Sequence, residues 1–451
     1  MEIIKQGDPG ILQIIVPVER MHTTYKVSQC LIREDTPDGV ILGNTLTGEI
    51  AFLSNEEKKT LEHLTTADED KLELLIKRGY IIPQIINEQK RILQLREVFQ
   101  MRAVREEYIN NYKILPTTRC NARCFYCYQR GTRQEDMTEK TAEALVQFIT
   151  EHRRGKSVRL SWFGGEPTLE THCIDYICRR MNELDIPFMS SMISNAYLFD
   201  EAMVEKAKTL WRLRRIQITL DGTAEVYNRT KAYIQTTDNP FERVMHNIEL
   251  LLSRGINVAI RLNLGAHNAE DLNMLVEELF RRFKSRKNLQ VYAHKLDSPT
   301  FFAPIQCGRT GTSDLSKLLS DLERSIESKG WKHADCSDIP KLIPWSCMAD
   351  NPHTIKCAPD GTFGRCDHFP FESGLGSVTR GTSDGEEAAK WKQYEFYDIC
   401  DNCPLIASCT RLLKNCPVNG KCLLQEKEMR VNRYRSVLRK EYEKWKEPSN
   451  K

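Results

Sequence analysis

Between residues 113 and 293 the chain alternates short strand-like runs with amphipathic helices, and few folds accept that rhythm. The strand-like runs are 113–116, 157–163, 188–194, 215–220, 257–264 and 289–293, and helical periodicity fills 138–154, 169–184, 201–210, 241–254 and 269–282 between them. Repeats of this kind predict an α/β fold with a parallel sheet covered by helices, either a partial (β/α)6 TIM barrel or a doubly wound sheet. In both, chemistry sits at the C-terminal ends of the strands.

Flanking segments read differently. Residues 1–86 predict a winged-helix-like α+β domain: Pro37-Asp38-Gly39 and Thr47-Gly48 supply hairpin turns, and Ser54 with Glu57 forms a capping box. Behind that box, Leu61, Leu64, Leu72, Leu75 and Ile76 give an apolar face, and Tyr80-Ile81-Ile82 closes the unit. Residues 87–111 are highly charged, with Ile92, Leu93, Leu95, Val98 and Phe99 at helical spacing, and predict a helical linker. The α/β core takes 112–304. Beyond it, 305–425 is rich in Gly, Pro, Asp and Cys and is expected to depend on bound metal, and 426–451 predicts a charged C-terminal helix.

With 451 residues, 40% of them hydrophobic, the chain exceeds one ordinary core. Its formal charge of +3 is spread without blocks, which points away from nucleic acid and from an anionic membrane. The apolar run at 11–18 is about half the length that crosses a bilayer and lacks a basic flank and a small-residue cleavage site, so a cytoplasmic location is expected. In a reducing compartment, 16 cysteines at tight spacing suggest metal ligands rather than disulfides. Twelve of them fall in two groups, three at 120–127 and nine at 336–422.

Cys120, Cys124 and Cys127 follow the first core strand at C-x3-C-x2-C spacing. Three thiolates there can hold three irons of a [4Fe–4S] cube and leave the fourth iron open. Zinc and free thiols are the alternatives, although no histidine lies in this loop to complete a zinc set. The loop, its Tyr126 before the third cysteine, and Gly164-Gly165-Glu166-Pro167 one strand later resemble the radical S-adenosylmethionine (SAM) superfamily. Alone, Gly-Gly-Glu-Pro could be a mere turn. The resemblance implies that the open iron chelates SAM and that an electron passed to the sulfonium releases a 5′-deoxyadenosyl radical. Two glycines would let backbone approach the methionyl amine, with Glu166 as an acceptor for that cation. Ser194-Asn195-Ala196 resembles the family's Ser/Thr-Asn-Gly segment with Ala196 as a departure, and Asp221 closes a segment like its fourth-strand motif. Arg261 and Asn263 stand where such proteins place SAM ligands, although a strand-end arginine is as often an ion-pair partner.

The second group, Cys347, Cys357, Cys366, Cys400, Cys403, Cys409, Cys416 and Cys422, resembles the SPASM extension of peptide-modifying radical SAM enzymes, which implies two auxiliary [4Fe–4S] clusters. By that resemblance Cys347, Cys357, Cys366 and Cys416 hold one and Cys400, Cys403, Cys409 and Cys422 the other. Six residues separate Cys409 from Cys416 where the family has three, and Cys357 could equally be a buried thiol. A structural zinc ribbon is the alternative for the region, and Cys30, Cys173, Cys178, Cys307 and Cys336 are expected to pack as ordinary side chains. Asp367 stands where sulfatase-maturating relatives carry a base; the plainer reading is a surface carboxylate beside His368.

The resemblance implies a maturase that installs a thioether or carbon–carbon crosslink in a ribosomally made precursor peptide. The N-terminal domain would bind the leader as an added strand, and a flavodoxin or ferredoxin would donate electrons. Formylglycine formation by a sulfatase-maturating enzyme, and a zinc-bearing peptide-binding protein without catalysis, are the alternatives.

Overall fold

The computed structural model describes residues 1–15, 24–65, 69–104, 108–155, 157–234, 236, 239–265, 267–284, 287–296, 312–331, 338–372, 374–383, 385–417, 422 and 424–447. Cys307 and Cys336 lie outside them. Two compact units result. The first gathers 1–105, 335–347 and 393–451; the second holds 106–334 and 348–392.

In the first unit the order is β1 (Glu2–Lys5), α1 (Pro9–Ile15), β2 (Tyr25–Val27), β3 (Leu31–Thr36), β4 (Gly39–Asn44), β5 (Glu49–Ser54), α2 (Asn55–Glu62), α3 (Glu69–Lys77), β6 (Ile81–Pro83) and α4 (Glu88–Val104). Strands β1-β5-β4-β3 make an antiparallel sheet, and β2 pairs with β6. Both hairpin turns and the Ser54–Glu57 capping box form as expected. One sheet face takes Leu61, Leu75 and Ile76 from α2 and α3. Its other face, Ile32, Ile41 and Ile50, packs on Ile339, Leu405 and Val437 and Leu438 of the C-terminal helix Leu424–Lys446. Phe52 meets Tyr442 and Trp445 at ring distances of 5.6 and 5.2 Å. Helix α4 differs from the expected linker, because Ile92, Leu95 and Arg96 are buried within this unit. A charged sequence with one apolar stripe can cap a core as readily as it can bridge two.

The second unit carries the α/β repeat: β7 (Asn111–Thr117), α5 (Glu139–His152), β8 (Val158–Gly164), α6 (Thr171–Glu183), β9 (Phe188–Ser194), α7 (Glu201–Thr209), β10 (Leu213–Leu220), α8 (Ala224–Lys231), α9 (Pro240–Ser253), β11 (Asn257–Leu264), α10 (Ala269–Phe283) and β12 (Leu289–Lys295). Strands β7 to β12 pair in parallel in sequence order. A doubly wound sheet reverses its strand order at a switch point; an order without reversal is that of a partial barrel. Beyond β7 the sheet adds β13 (Thr354–Cys357), parallel to it, and β14 (Phe363–Gly364), antiparallel to β13. Along β8 and β9 burial alternates with period two: Leu160, Trp162, Ser190 and Met192 are buried, whereas Ser161, Phe163, Ser191 and Ile193 are half-buried on the other face. Helix α8 was not foreseen; its sequence, AEVYNRTK, carries no regular apolar stripe.

Candidate active site

The cysteine loop leaves β7 through a closed base. Thr117 and Asp136 form an isolated antiparallel bridge, the Thr117 hydroxyl donates to Asp136 at 2.5 Å, and Arg119 Nε donates to the same carboxylate at 2.8 Å. Against this base lies the turn after β8. The Gly165 amide donates to Thr117 O at 3.1 Å and the Glu166 amide to Arg119 O at 2.8 Å. A Cβ on Gly164 would lie 2.2 Å from Thr117 O, and one on Gly165 would lie 2.1 Å from Arg119 O. Both glycines are thus required by the chain's own packing, where the sequence suggested approach to a ligand. Gly164 further adopts φ 122°, a region L side chains rarely enter.

Glu166 is held by the chain itself. It is 1% exposed, and its carboxylate accepts from Thr168 N at 3.1 Å, Thr168 Oγ1 at 2.6 Å, Ser194 Oγ at 2.8 Å and Asn195 N at 2.7 Å. Burial raises its pKa against these four donors. The carboxylate therefore ties the turn beginning at Pro167 to the end of β9 and is spent on the chain itself. Asn195 passes the connection on, its amide donating to Asn121 Oδ1 at 2.7 Å inside the cysteine loop. Ala196 sits at φ 61°, the left-handed conformation in which glycine is favoured, so the departure from the Ser-Asn-Gly pattern is physically a strained alanine.

A second network forms at the ends of β10 and β11. Tyr126 donates to Asp221 Oδ2 at 3.1 Å, Lys231 donates to Tyr126 at 3.1 Å and pairs with Asp221 at 3.1 Å, and Asn263 Nδ2 donates to Asp221 Oδ1 at 3.2 Å. Burial alone would lower the Lys231 ammonium; Asp221, Tyr126 and Cys124 around it hold it well above its ordinary value. Sequence reasoning passed over Lys231, because nothing in a helical lysine signals burial. Its main chain accepts from Arg123 at 2.8 Å, which pins the loop between its first two cysteines.

Cys120, Cys124 and Cys127 are free, and they lie close enough that Cys124 and Cys127 both oppose the ionisation of Cys120. Burial, followed by the Glu166 carboxylate, pushes the Cys120 thiol up to about 12; burial also raises Cys124 against the pull of Lys231. Among the described residues no group of three or more His, Cys, Asp or Glu is gathered so as to hold one metal ion. Each ligand of a cube binds its own iron, so a cluster with one open iron asks for three thiols on one loop, which Cys120, Cys124 and Cys127 supply. Nearby, Asn121 Nδ2, Asn263 Oδ1 and Arg261 Nε are buried polar atoms without a partner, which fits a polar ligand such as SAM at the strand ends. Arg261 donates to His294 Nδ1 at 2.8 Å and does not join the Asp221 network.

The second cysteine group divides between the units. Cys357 and Cys366 belong to the second; Cys347, Cys400, Cys403, Cys409, Cys416 and Cys422 belong to the first. Cys357 is fully buried on β13, its thiol donating to Ala358 O at 3.5 Å. Cys400, Cys403 and Cys409 lie near one another, with Cys422 beside Cys409 and with Lys427 and Arg411 as neighbouring cations. Asp367 is not a plain surface carboxylate: it pairs with Lys113 of β7, and its Oδ1 is buried without a partner. It also lies beside Tyr128, whose ring centre is 4.3 Å from that of His368 at a tilt of 35° and whose neighbours include Cys127 and Cys366. Lys356, buried, donates to Cys366 O at 2.7 Å and Glu372 at 2.8 Å and so shapes that loop. The packing default holds for Cys30, Cys173 and Cys178, all buried.

Residues 114–279 match the Radical SAM superfamily. That segment is what the chain shares with radical SAM proteins. In curated proteins the similarity includes an uncharacterized protein of Methanocaldococcus jannaschii, 30% identical over 24% of this chain, and a probable GTP 3′,8-cyclase of Archaeoglobus fulgidus, 28% identical over 42% of it. The chain spans 36% and 62% of their respective lengths. Among solved structures, two share the fold over most of this chain. Native anSMEcpe with bound AdoMet and Kp18Cys peptide is 16% identical, with a TM-score of 0.55 over 74% of this chain and 99% of that one. Streptococcus suis SuiB is 16% identical, with a TM-score of 0.51 over 89% of this chain and 98% of that one. No helix among the described residues is long and apolar enough to cross a membrane.

Proposed function

We propose that the chain is a maturase that uses its radical SAM domain to crosslink a cysteine-bearing precursor peptide. The observation that carries this reading is the three free thiols of the Cys120–Cys127 loop held against the Gly164–Glu166 turn, with a second set of free thiols near the C-terminus. A cluster held by Cys120, Cys124 and Cys127 supplies an electron to the sulfonium of SAM when both are bound. This chain's residues do the rest. Glu166, Ser194 and Asn195 lock the loop, Tyr126, Asp221 and Asn263 form a polar wall at the strand ends, and the unpartnered Arg261 Nε and Asn263 Oδ1 offer a donor and an acceptor to SAM.

A peptide substrate is supported at the level of fold by the likeness to anSMEcpe, whose structure holds a peptide, and by the SuiB likeness, whose extent exceeds the barrel alone. Crosslinking needs an acceptor for a second electron once hydrogen has been abstracted, and Cys400, Cys403, Cys409 and Cys422 are the candidate seat of that acceptor. The test uses anaerobically reconstituted, reduced protein with SAM and the small peptide encoded beside it. The expected product is lighter by one H2 per crosslink, and Cys124→Ala abolishes it. An unchanged mass with every cysteine-containing peptide would overturn the proposal. Formylglycine formation is the second reading, favoured by Asp367 beside Tyr128 with one free oxygen. A sulfatase-derived peptide that gains an aldehyde would select it. Protein that stays colourless and iron-free after reconstitution would select a zinc-bearing binding protein instead.

A further inference from the structure

Helix α4 buries a guanidinium completely: Arg96 is 0% exposed. Its Nη2 donates to Ala407 O at 3.2 Å and to Cys409 O at 3.0 Å, and its Nη1 donates to Ser346 Oγ at 2.8 Å. The same helix reaches this region twice more. Gln89 donates to Asp401 Oδ1 at 2.5 Å, and Gln100 donates to Pro344 O at 3.0 Å and to the Tyr394 hydroxyl at 2.8 Å. Between these contacts Ile92 and Leu95 pack with Cys400, Ile406, Ala407 and Leu412. The Cys409 amide donates to Ile406 O at 3.3 Å, so the turn that presents the Cys409 thiol is fixed from within by its own backbone and from outside by Arg96.

We propose that Arg96 is the positioning residue of an iron–sulfur centre held by Cys400, Cys403, Cys409 and Cys422. The inference rests on reading those four as ligands. A ligating turn must point its sulfur at the metal, and its carbonyls then face the interior, where an unsatisfied acceptor is costly. Here Nη2 serves both carbonyls while Nη1 is held on Ser346, a coplanar set of three bonds from two nitrogens; an ammonium is a single point donor and does not reproduce that set. Arg96 thus sets the direction of Cys409 relative to Cys400, Cys403 and Cys422, which makes α4, a segment from the N-terminal side of the chain, a structural part of a centre whose ligands are all C-terminal.

Full-length wild type, Arg96→Lys and Arg96→Met are reconstituted anaerobically, and iron and sulfide per chain, the EPR spectrum with and without SAM, and the midpoint potential of each signal are compared. In wild type one signal responds to SAM and another does not. Arg96→Lys should keep its iron and shift the SAM-insensitive signal and its potential alone. Arg96→Met should lose roughly four irons per chain, one cube's worth, while the SAM-responsive signal persists. Two variants with wild-type iron and an unshifted SAM-insensitive signal would overturn the proposal, as would equal loss of both signals, which marks a residue that merely supports the fold. If Arg96→Met does not fold, the lysine variant decides. Wild type holding a single SAM-responsive cube would sink the ligand reading itself, and it is told apart from the other failures because no variant is needed to see it.

Discussion

Lys231 and Asp221 are 4% and 1% exposed and joined through Tyr126, so neither charge has water to fall back on. Lys231→Met leaves a buried carboxylate without its cation and should destabilise the protein by about 3 kcal/mol; Lys231→Met with Asp221→Asn should recover part of that loss. Urea unfolding measures both, and an additive double mutant would show that the two groups do not depend on each other. Ala196 poses a smaller balance. Relief of left-handed strain gains about 1–2 kcal/mol, whereas loss of a buried methyl costs about 1 kcal/mol, so Ala196→Gly should change stability by about 1 kcal/mol or less. A β-branched side chain has no such compensation, and Ala196→Val should cost more than about 1 kcal/mol in the same assay.

Strand-to-loop junctions, more than single ligands, give the site its shape. A methyl on Gly165 would collide with the carbonyls of Arg119 and Thr118, at 2.1 and 2.6 Å, and backbone cannot rotate away as a side chain can. Gly165→Ala should therefore displace the cysteine loop and abolish the SAM-induced change in the cluster's EPR spectrum, while circular dichroism keeps the helical signal of α5 to α10. These junctions were legible because turn glycines and closely spaced cysteines are local signals, and so were the strands β7 to β12 with their period-two burial. Three features were not. Lys231 is long-range chemistry on a helix without a regular apolar stripe, two of the four internal donors to Glu166 come from another strand end, and α4 presents the composition of a linker although it buries Arg96. Each depends on contacts between residues far apart in sequence, which neither periodicity nor spacing encodes.

Two units that fold as separate cores should also unfold separately. Leu438 is fully buried beneath Ile41 and Ile50, and Leu438→Ala should cost about 3 kcal/mol in the first unit. Hydrogen exchange should then rise at the amides of β4 and β5 and stay slow in β9 to β11; equal acceleration in both would mean a single cooperative core. Because that first unit takes its pieces from sequence-distant segments, one face of its sheet cannot be covered when its strands leave the ribosome. The barrel, made from a nearly continuous stretch, can close first. At roughly 5–20 residues per second, the isoleucine face of β4 waits some tens of seconds for the helix that covers it. During that interval it is a bare apolar strand surface open to wrong neighbours, so growth temperature and chaperone supply should govern the yield of folded protein more than the stability of the finished molecule does.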